Sequence, residues 1–335
     1  MLLEAPEKIV EAHIPEPTET GASVVQVTGT GICATDSKIF TGGIPVKYPL
    51  VMGHEIVGEL VEGTSRDGAK PGAKVLIDPV LTCGTCFHCR HGQSHLCPAG
   101  ELMGRERNGG FAQFVAVRPE NVYALPDGID LTAAPMMQVL TTCLHAMEMA
   151  RIAPGETVVV TGLGVTGQMH IQLAKAAGAG TVIGVSRNPP KRDLALKLGA
   201  DLAVDHGKEA ADAILSATEG RGADVIIESV GALSVLGEAM DLARIGGRIV
   251  PFGIYTANQA ELPFYQLYFK ELQILNARAA QARDFPASIE LVANGKLDIT
   301  SLLSHRLPFR QLDEAMGLLT QPGLDRMKVV LTYDD

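Results

Sequence analysis

Hydrophobic and polar positions give the chain two textures. Up to about residue 145, short β-type runs such as Ser23-Val24-Val25-Gln26-Val27 and Phe111-Ala112-Gln113-Phe114-Val115-Ala116-Val117 are broken by Gly- and Pro-rich turns. That pattern predicts a compact β-rich domain. From about residue 150, Thr157 to Thr161, Thr181 to Val185, Asp224 to Ser229 and Arg248 to Phe252 read as buried strands with helical patterns between them. Such alternation implies right-handed βαβ crossovers and a parallel sheet covered on both faces. Helical patterns from about Asp284 to Ala293 and Gln311 to Thr320, and the run Met327 to Thr332, fit either part.

Length and composition narrow the class. The 335 residues correspond to roughly two domains at about 150 residues each. With 46% hydrophobic against 20% charged residues, the chain can build large cores and is not disordered. A net charge of −10 repels phosphate backbones and anionic lipid, so nucleic acid is not expected as a partner. No apolar run reaches the ~18 residues of a membrane span. Glu4, Glu7 and Lys8 stand where a signal peptide would place its hydrophobic region, so a cytoplasmic protein is expected.

Two motifs carry chemistry by their own spacing. After Thr157 to Thr161 comes Gly162-Leu163-Gly164-Val165-Thr166-Gly167, then an apolar helix through Ala177 stopped by Gly178. Gly162 permits a tight turn, Gly164 admits a pyrophosphate to the backbone, Gly167 allows helix and strand to pack closely, and the helix N-terminus offers free N–H groups. This predicts a dinucleotide site with Gly162, Gly164, Val165 and Gly167 as contacts. The second motif is Cys83-x2-Cys86-x2-Cys89-x7-Cys97. Four thiols at that spacing suit one tetrahedral Zn²⁺ with no open position, a structural site. Two disulfides or inert thiols are the alternatives, the first disfavoured in a reducing cytoplasm. Cys33 and His54 are each unremarkable alone.

Taken together, Gly31-Ile32-Cys33-x-Thr35-Asp36, Gly53-His54-Glu55-x2-Gly58, the four-Cys loop and Gly162-x-Gly164-x2-Gly167 resemble, in the same order, the zinc-dependent medium-chain alcohol dehydrogenases. Cys33-x-Thr35-Asp36 and the ending Gly295-Lys296-Leu297-Asp298 through Ser304-His305-Arg306 are most similar to the sorbitol and other polyol, threonine and glucose dehydrogenase branch. The resemblance implies an α/β protein: a GroES-like β-rich catalytic domain from residues 1–145 and 280–335, and a doubly wound Rossmann domain from 146–279. It implies two zinc ions per chain. Cys33 and His54 match catalytic zinc ligands, Glu55 a carboxylate able to approach the metal, Thr35 the hydroxyl that takes the substrate proton, and Thr142 the threonine beside the nicotinamide. The implied reaction moves a hydride between a zinc-polarised alcohol and the cofactor, interconverting alcohol and ketone or aldehyde. Bacterial-type relatives suggest a homo-tetramer rather than a dimer. Alternatives are a metal-free quinone or enoyl reductase of the same superfamily, or a non-enzymatic zinc- and nucleotide-binding regulator.

Three positions depart from the pattern or refine it. Gln138, in Met136-Met137-Gln138, stands where relatives carry Cys, Asp or Glu as the remaining zinc ligand, so either Gln138 or Glu55 completes the shell. Lys38 stands where many relatives have a relay His. At the end of the second Rossmann strand, Val185-Ser186-Arg187-Asn188 lacks the carboxylate that binds both ribose hydroxyls of NAD. A hydroxyl and a guanidinium replace it, with Lys191 and Arg192 just downstream. Arg187 can clamp a phosphate bidentately, so NADP(H) is expected over NAD(H), with Ser186, Arg187 and Lys191 as contacts. Met103, Phe111 and Met136 are candidates either for pocket lining or for plain core.

Overall fold

A ten-residue strand, Ser23–Ile32, organises the β-rich part of the chain. The computed structural model describes residues 1–17, 19–257, 259–321 and 326–333. One unit comprises Met1–Thr141 and Gln281–Asp335. Its seven-stranded sheet runs Leu303–Pro308, Lys328–Thr332, Ser23–Ile32, Glu55–Glu62, Lys74–Ile77, Val122–Ala124, with Phe114–Val117 also paired to Ser23–Ile32. Only the first pair is parallel. Val25, Val27, Ile56, Leu60, Val75 and Ile77 fill one core, and Ile39, Phe40, Met52, Phe111, Leu312 and Met316 fill another that seats the helices Ala34–Phe40 and Leu312–Thr320.

The expected strand from Phe111 starts only at Phe114. Phe111 turns inward instead. Its ring is fully buried, its N–H donates to the Met52 carbonyl at 2.9 Å, and its carbonyl accepts the Met1 ammonium at 2.9 Å. Phe111, Met103 and Met136 all belong to the buried core.

The other unit, Thr142–Ala280, holds a six-stranded parallel sheet. Its order is Leu202–Val204, Thr181–Val185, Thr157–Thr161, Ala223–Glu228, Ala243–Pro251, Gln273–Ile274. Numbered along the sequence, this is 3-2-1-4-5-6, the doubly wound order whose switch point lies between strands 1 and 4. Near-continuous apolar strands follow from burial on both faces, and Ala223–Glu228 is buried at every position. The helices Val165–Ala176, Pro189–Lys197, Lys208–Ala217 and Leu233–Leu242 form the crossovers. Among the described residues, no helix is long and apolar enough to cross a membrane.

Candidate active site

Cys33 ends the long strand and caps the helix Ala34–Phe40. Its Sγ accepts the Thr35 N–H at 3.2 Å, and its own N–H donates to Asp36 Oδ2 at 2.9 Å. This reciprocal capping box fixes both side chains by local geometry. His54 Nε2 lies 3.0 Å from Cys33 Sγ, and His54 Nδ1 lies 3.4 Å from Asp36 Oδ1. Cys33, Asp36 and His54 thus offer ligand atoms all within 4.8 Å of one another, with Asp36 and His54 buried. Burial alone would depress the His54 pKa, but its interactions with Cys33 and with the Asp36 carboxylate outweigh it and hold it well above the usual value. Burial likewise opposes ionisation of Asp36, yet His54 and the Cys33 N–H keep its pKa below the usual carboxylate value. The donor set fits a divalent cation held by Cys33 and His54. Asp36 Oδ2 is taken by the Cys33 N–H, and Oδ1, which has no hydrogen bond, faces His54 Nδ1 at 3.4 Å, so the carboxylate stands behind the imidazole on the side away from Cys33.

Glu55 follows His54 and forms a buried ion pair with Lys328. Its other oxygen, Oε2, is buried without a hydrogen-bond partner and lies against Gly31, and Glu55 is not among the ligand atoms that the cluster of Cys33, Asp36 and His54 brings together. Gln138 is buried in the first turn of the helix Met136–Ala150, where its backbone carbonyl accepts the Thr141 hydroxyl at 2.6 Å. Thr35 is half-buried, and Lys38 sits in the last turn of the helix Ala34–Phe40. Asp36 and Lys328 were not assigned roles from the sequence. Their signals were a carboxylate three residues after Cys33 and a lysine inside an otherwise apolar run.

In the four-Cys loop the sulfurs of Cys83 and Cys97 are 3.5 Å apart, and those of Cys83 and Cys89 and of Cys86 and Cys97 are each 3.9 Å apart. A zinc tetrahedron with ~2.3 Å bonds has edges of roughly 3.8 Å, whereas a disulfide requires about 2.05 Å. All four thiols are unbonded, so the disulfide alternative falls. The Thr85 and Cys86 N–H groups pull Cys83 down to about 6, toward the thiolate a metal takes up. Partial desolvation and the neighbouring thiols push Cys89 up to about 11.

In the second unit the glycine turn follows the strand Thr157–Thr161. Gly162 has φ +85°, and a Cβ on Gly167 would lie 1.9 Å from the Gly162 carbonyl oxygen. Packing therefore excludes a side chain at Gly167. At Gly164 it does not, since a Cβ there would meet nothing within 4 Å. The open space fits a ligand approaching the backbone. Val165 begins the helix, Gly164 caps it without a side-chain acceptor, and its first N–H groups stand ready for an anion. Across the switch point, buried Glu228 accepts the Val230 N–H at 2.7 Å and the Gly231 N–H at 3.0 Å, fixing a turn the sequence did not single out. Ser186 and exposed Arg187 follow the second strand, Lys191 lies in the helix Pro189–Lys197, and Thr142 is half-buried in the helix Met136–Ala150.

The profile of the alcohol dehydrogenase GroES-like domain matches residues 19–127, and that of the zinc-binding dehydrogenases matches residues 165–294. Sorbitol dehydrogenase of Halalkalibacterium halodurans is 31% identical over 96% of this chain and 94% of its own length. A zinc-binding dehydrogenase from Sinorhizobium meliloti 1021, solved bound to NADP, superposes with a TM-score of 0.90 at 30% identity, covering 99% of this chain and 98% of the other. A protein described as a short chain alcohol dehydrogenase from E. coli CFT073, complexed with NADH, superposes with a TM-score of 0.90 at 29% identity and the same coverage. With its GroES-like and Rossmann-like units, its thiol and imidazole cluster and its glycine turn, the chain belongs to the zinc-type alcohol dehydrogenase family and is an oxidoreductase.

Proposed function

We propose that this chain interconverts a polyol, sugar or related secondary alcohol and its ketone, using NADP(H) in preference to NAD(H) and two zinc ions per chain. The observation that carries the reading is the Cys33, His54 and Asp36 cluster, with the unpartnered Glu55 Oε2 beside it in sequence. Cys33 and His54 hold the catalytic ion, and Glu55 or Gln138 supplies the further contact. Zinc there supplies a Lewis acid that lowers the pKa of an alcohol oxygen. The Thr35 hydroxyl, two residues beyond Cys33, accepts the proton the alcohol releases. Cys83, Cys86, Cys89 and Cys97 hold the structural ion. Gly162, Gly164, Val165 and Gly167 receive the dinucleotide phosphates, Thr142 lies at the nicotinamide, and Ser186, Arg187 and Lys191 receive the 2′-phosphate.

The substrate class is supported by the likeness to sorbitol dehydrogenase. Four free thiols close together suit a reducing cytoplasm. The exposed Phe264, Tyr265, Tyr268 and Phe269 of the helix Phe264–Phe269 support self-association, and the assembly proposed is a homo-tetramer. The test combines metal content with cofactor preference. Two zinc ions per chain and a kcat/KM favouring NADP, shifted by about ten- to a hundredfold toward NAD in Arg187→Ala, are expected. One zinc per chain, or a parent that prefers NAD, would overturn the corresponding part.

A further inference from the structure

Gln168 follows Gly167 and is fully buried. Its Nε2 donates to the Leu163 carbonyl at 3.3 Å, inside the glycine turn, and to the Lys191 carbonyl at 2.8 Å, at the start of the next crossover helix. Its Oε1 is buried without a partner, so the amide is oriented by those two carbonyls. One side chain thereby ties the turn after the first strand to the turn after the second. Arg192 closes the second turn from its other side. Its Nη1 donates to the Ser186 carbonyl at 2.7 Å and lies 3.7 Å from Asp205 Oδ2. Within the turn, Ser186 Oγ accepts the Asn188 N–H at 3.2 Å and Asn188 Oδ1 accepts the Lys191 N–H at 3.1 Å. Pro189 and Pro190 restrict the backbone further. Arg187 is exposed at the middle of this braced segment.

We propose that Gln168 and Arg192 are positioning residues that lock the Ser186–Arg192 segment onto the glycine turn, so that discrimination between 2′-phosphorylated and unphosphorylated nicotinamide dinucleotides depends on this brace as well as on the guanidinium that meets the phosphate. The proposal rests on the reading of Arg187 as that guanidinium. A bidentate contact needs both N–H vectors fixed, and a turn that must be ordered on binding loses the affinity that a preformed turn retains. Gln168 adds register, because it sets the distance between the pyrophosphate turn and the ribose end of the site.

Equilibrium titration with NADPH and NADH, read by the fluorescence of the reduced nicotinamide, tests this in the zinc-loaded protein. Arg192→Met is expected to raise the NADPH-to-NADH ratio of Kd about tenfold, and Arg192→Lys to restore part of it, since an ammonium can still donate to the Ser186 carbonyl. Gln168→Met is expected to move the ratio the same way. A melting curve accompanies each variant, and if Gln168→Met does not fold the Arg192 pair decides. A ratio left unmoved by the folded brace variants while Arg187→Ala shifts it overturns the brace. A ratio that Arg192→Met shifts and Arg187→Ala does not overturns the reading of Arg187 and the brace with it, because the Arg192 charge itself is then the discriminating group.

Discussion

Glu55 and Lys328, 273 residues apart in sequence, form a buried ion pair across the backbone of Gly31. Glu55 is paired with Gly31 in the antiparallel ladder, and Lys328 begins the strand on Gly31's other side. A Cβ on Gly31 would lie 2.0 Å from Glu55 Oε2 and 2.9 Å from Lys328 Cε. Glycine is needed there so that the two charges can meet. Removing the cation leaves a buried carboxylate alone, so Lys328→Met should cost about 3–5 kcal/mol of stability, and the double variant Glu55→Gln with Lys328→Met should recover most of that. Denaturant melts check both; a single variant as stable as the parent would contradict the pairing.

Asp36→Asn tests the imidazole's orientation. If the Asn carbonyl keeps the Cys33 N–H, its NH2 faces His54 Nδ1 and forces the proton onto Nε2, the atom that lies 3.0 Å from Cys33 Sγ. A protonated Nε2 cannot ligate a metal. Zinc retention during dialysis against a chelator, and turnover with it, should fall about 10- to 100-fold while the melting curve keeps its cooperativity.

The four-Cys loop has little apolar packing of its own, and the helix Phe87–Arg90 within it has no buried residue. Metal is then the main restraint on that loop. Cys86→Ser should lose one zinc per chain and lower Tm before it affects turnover, because structural zinc binding is folding free energy. Metal analysis beside calorimetry separates this from the Cys33 site, where loss of zinc should remove turnover first.

Asp78 carries a pH signature. Burial raises its pKa to about 7 despite the Val80 N–H it accepts. A carboxyl whose folded pKa exceeds its unfolded value penalises the folded state as pH rises above the ordinary carboxylate range, and the penalty is complete above about 7. Asp78→Asn keeps an acceptor and removes the charge. Its Tm should exceed the parent's by several degrees at pH 8 and match it near pH 4, as followed by thermal melts.

Much of this protein was determined by local sequence. Thr157–Thr161 and Thr181–Val185 are runs buried on both faces of a parallel sheet, so their apolar continuity alone marks them. The glycine turn and the four-Cys spacing are legible because each completes its geometry within about 15 residues of chain. Leu202–Val204 and Gln273–Ile274 were not legible, since edge strands of three and two residues carry too few apolar positions to form a pattern. Phe111 read as strand because burial and strand propensity select the same side chains, and only packing against Met52 separates them. The tertiary structure also decided the partnerships. Asp36 behind His54, Lys328 beside Glu55, and Gln168 between two carbonyls depend on sheet register and helix placement that bring distant segments together. A buried charge or amide is tolerated only where such partners are met, and a one-dimensional pattern has no term for what lies opposite.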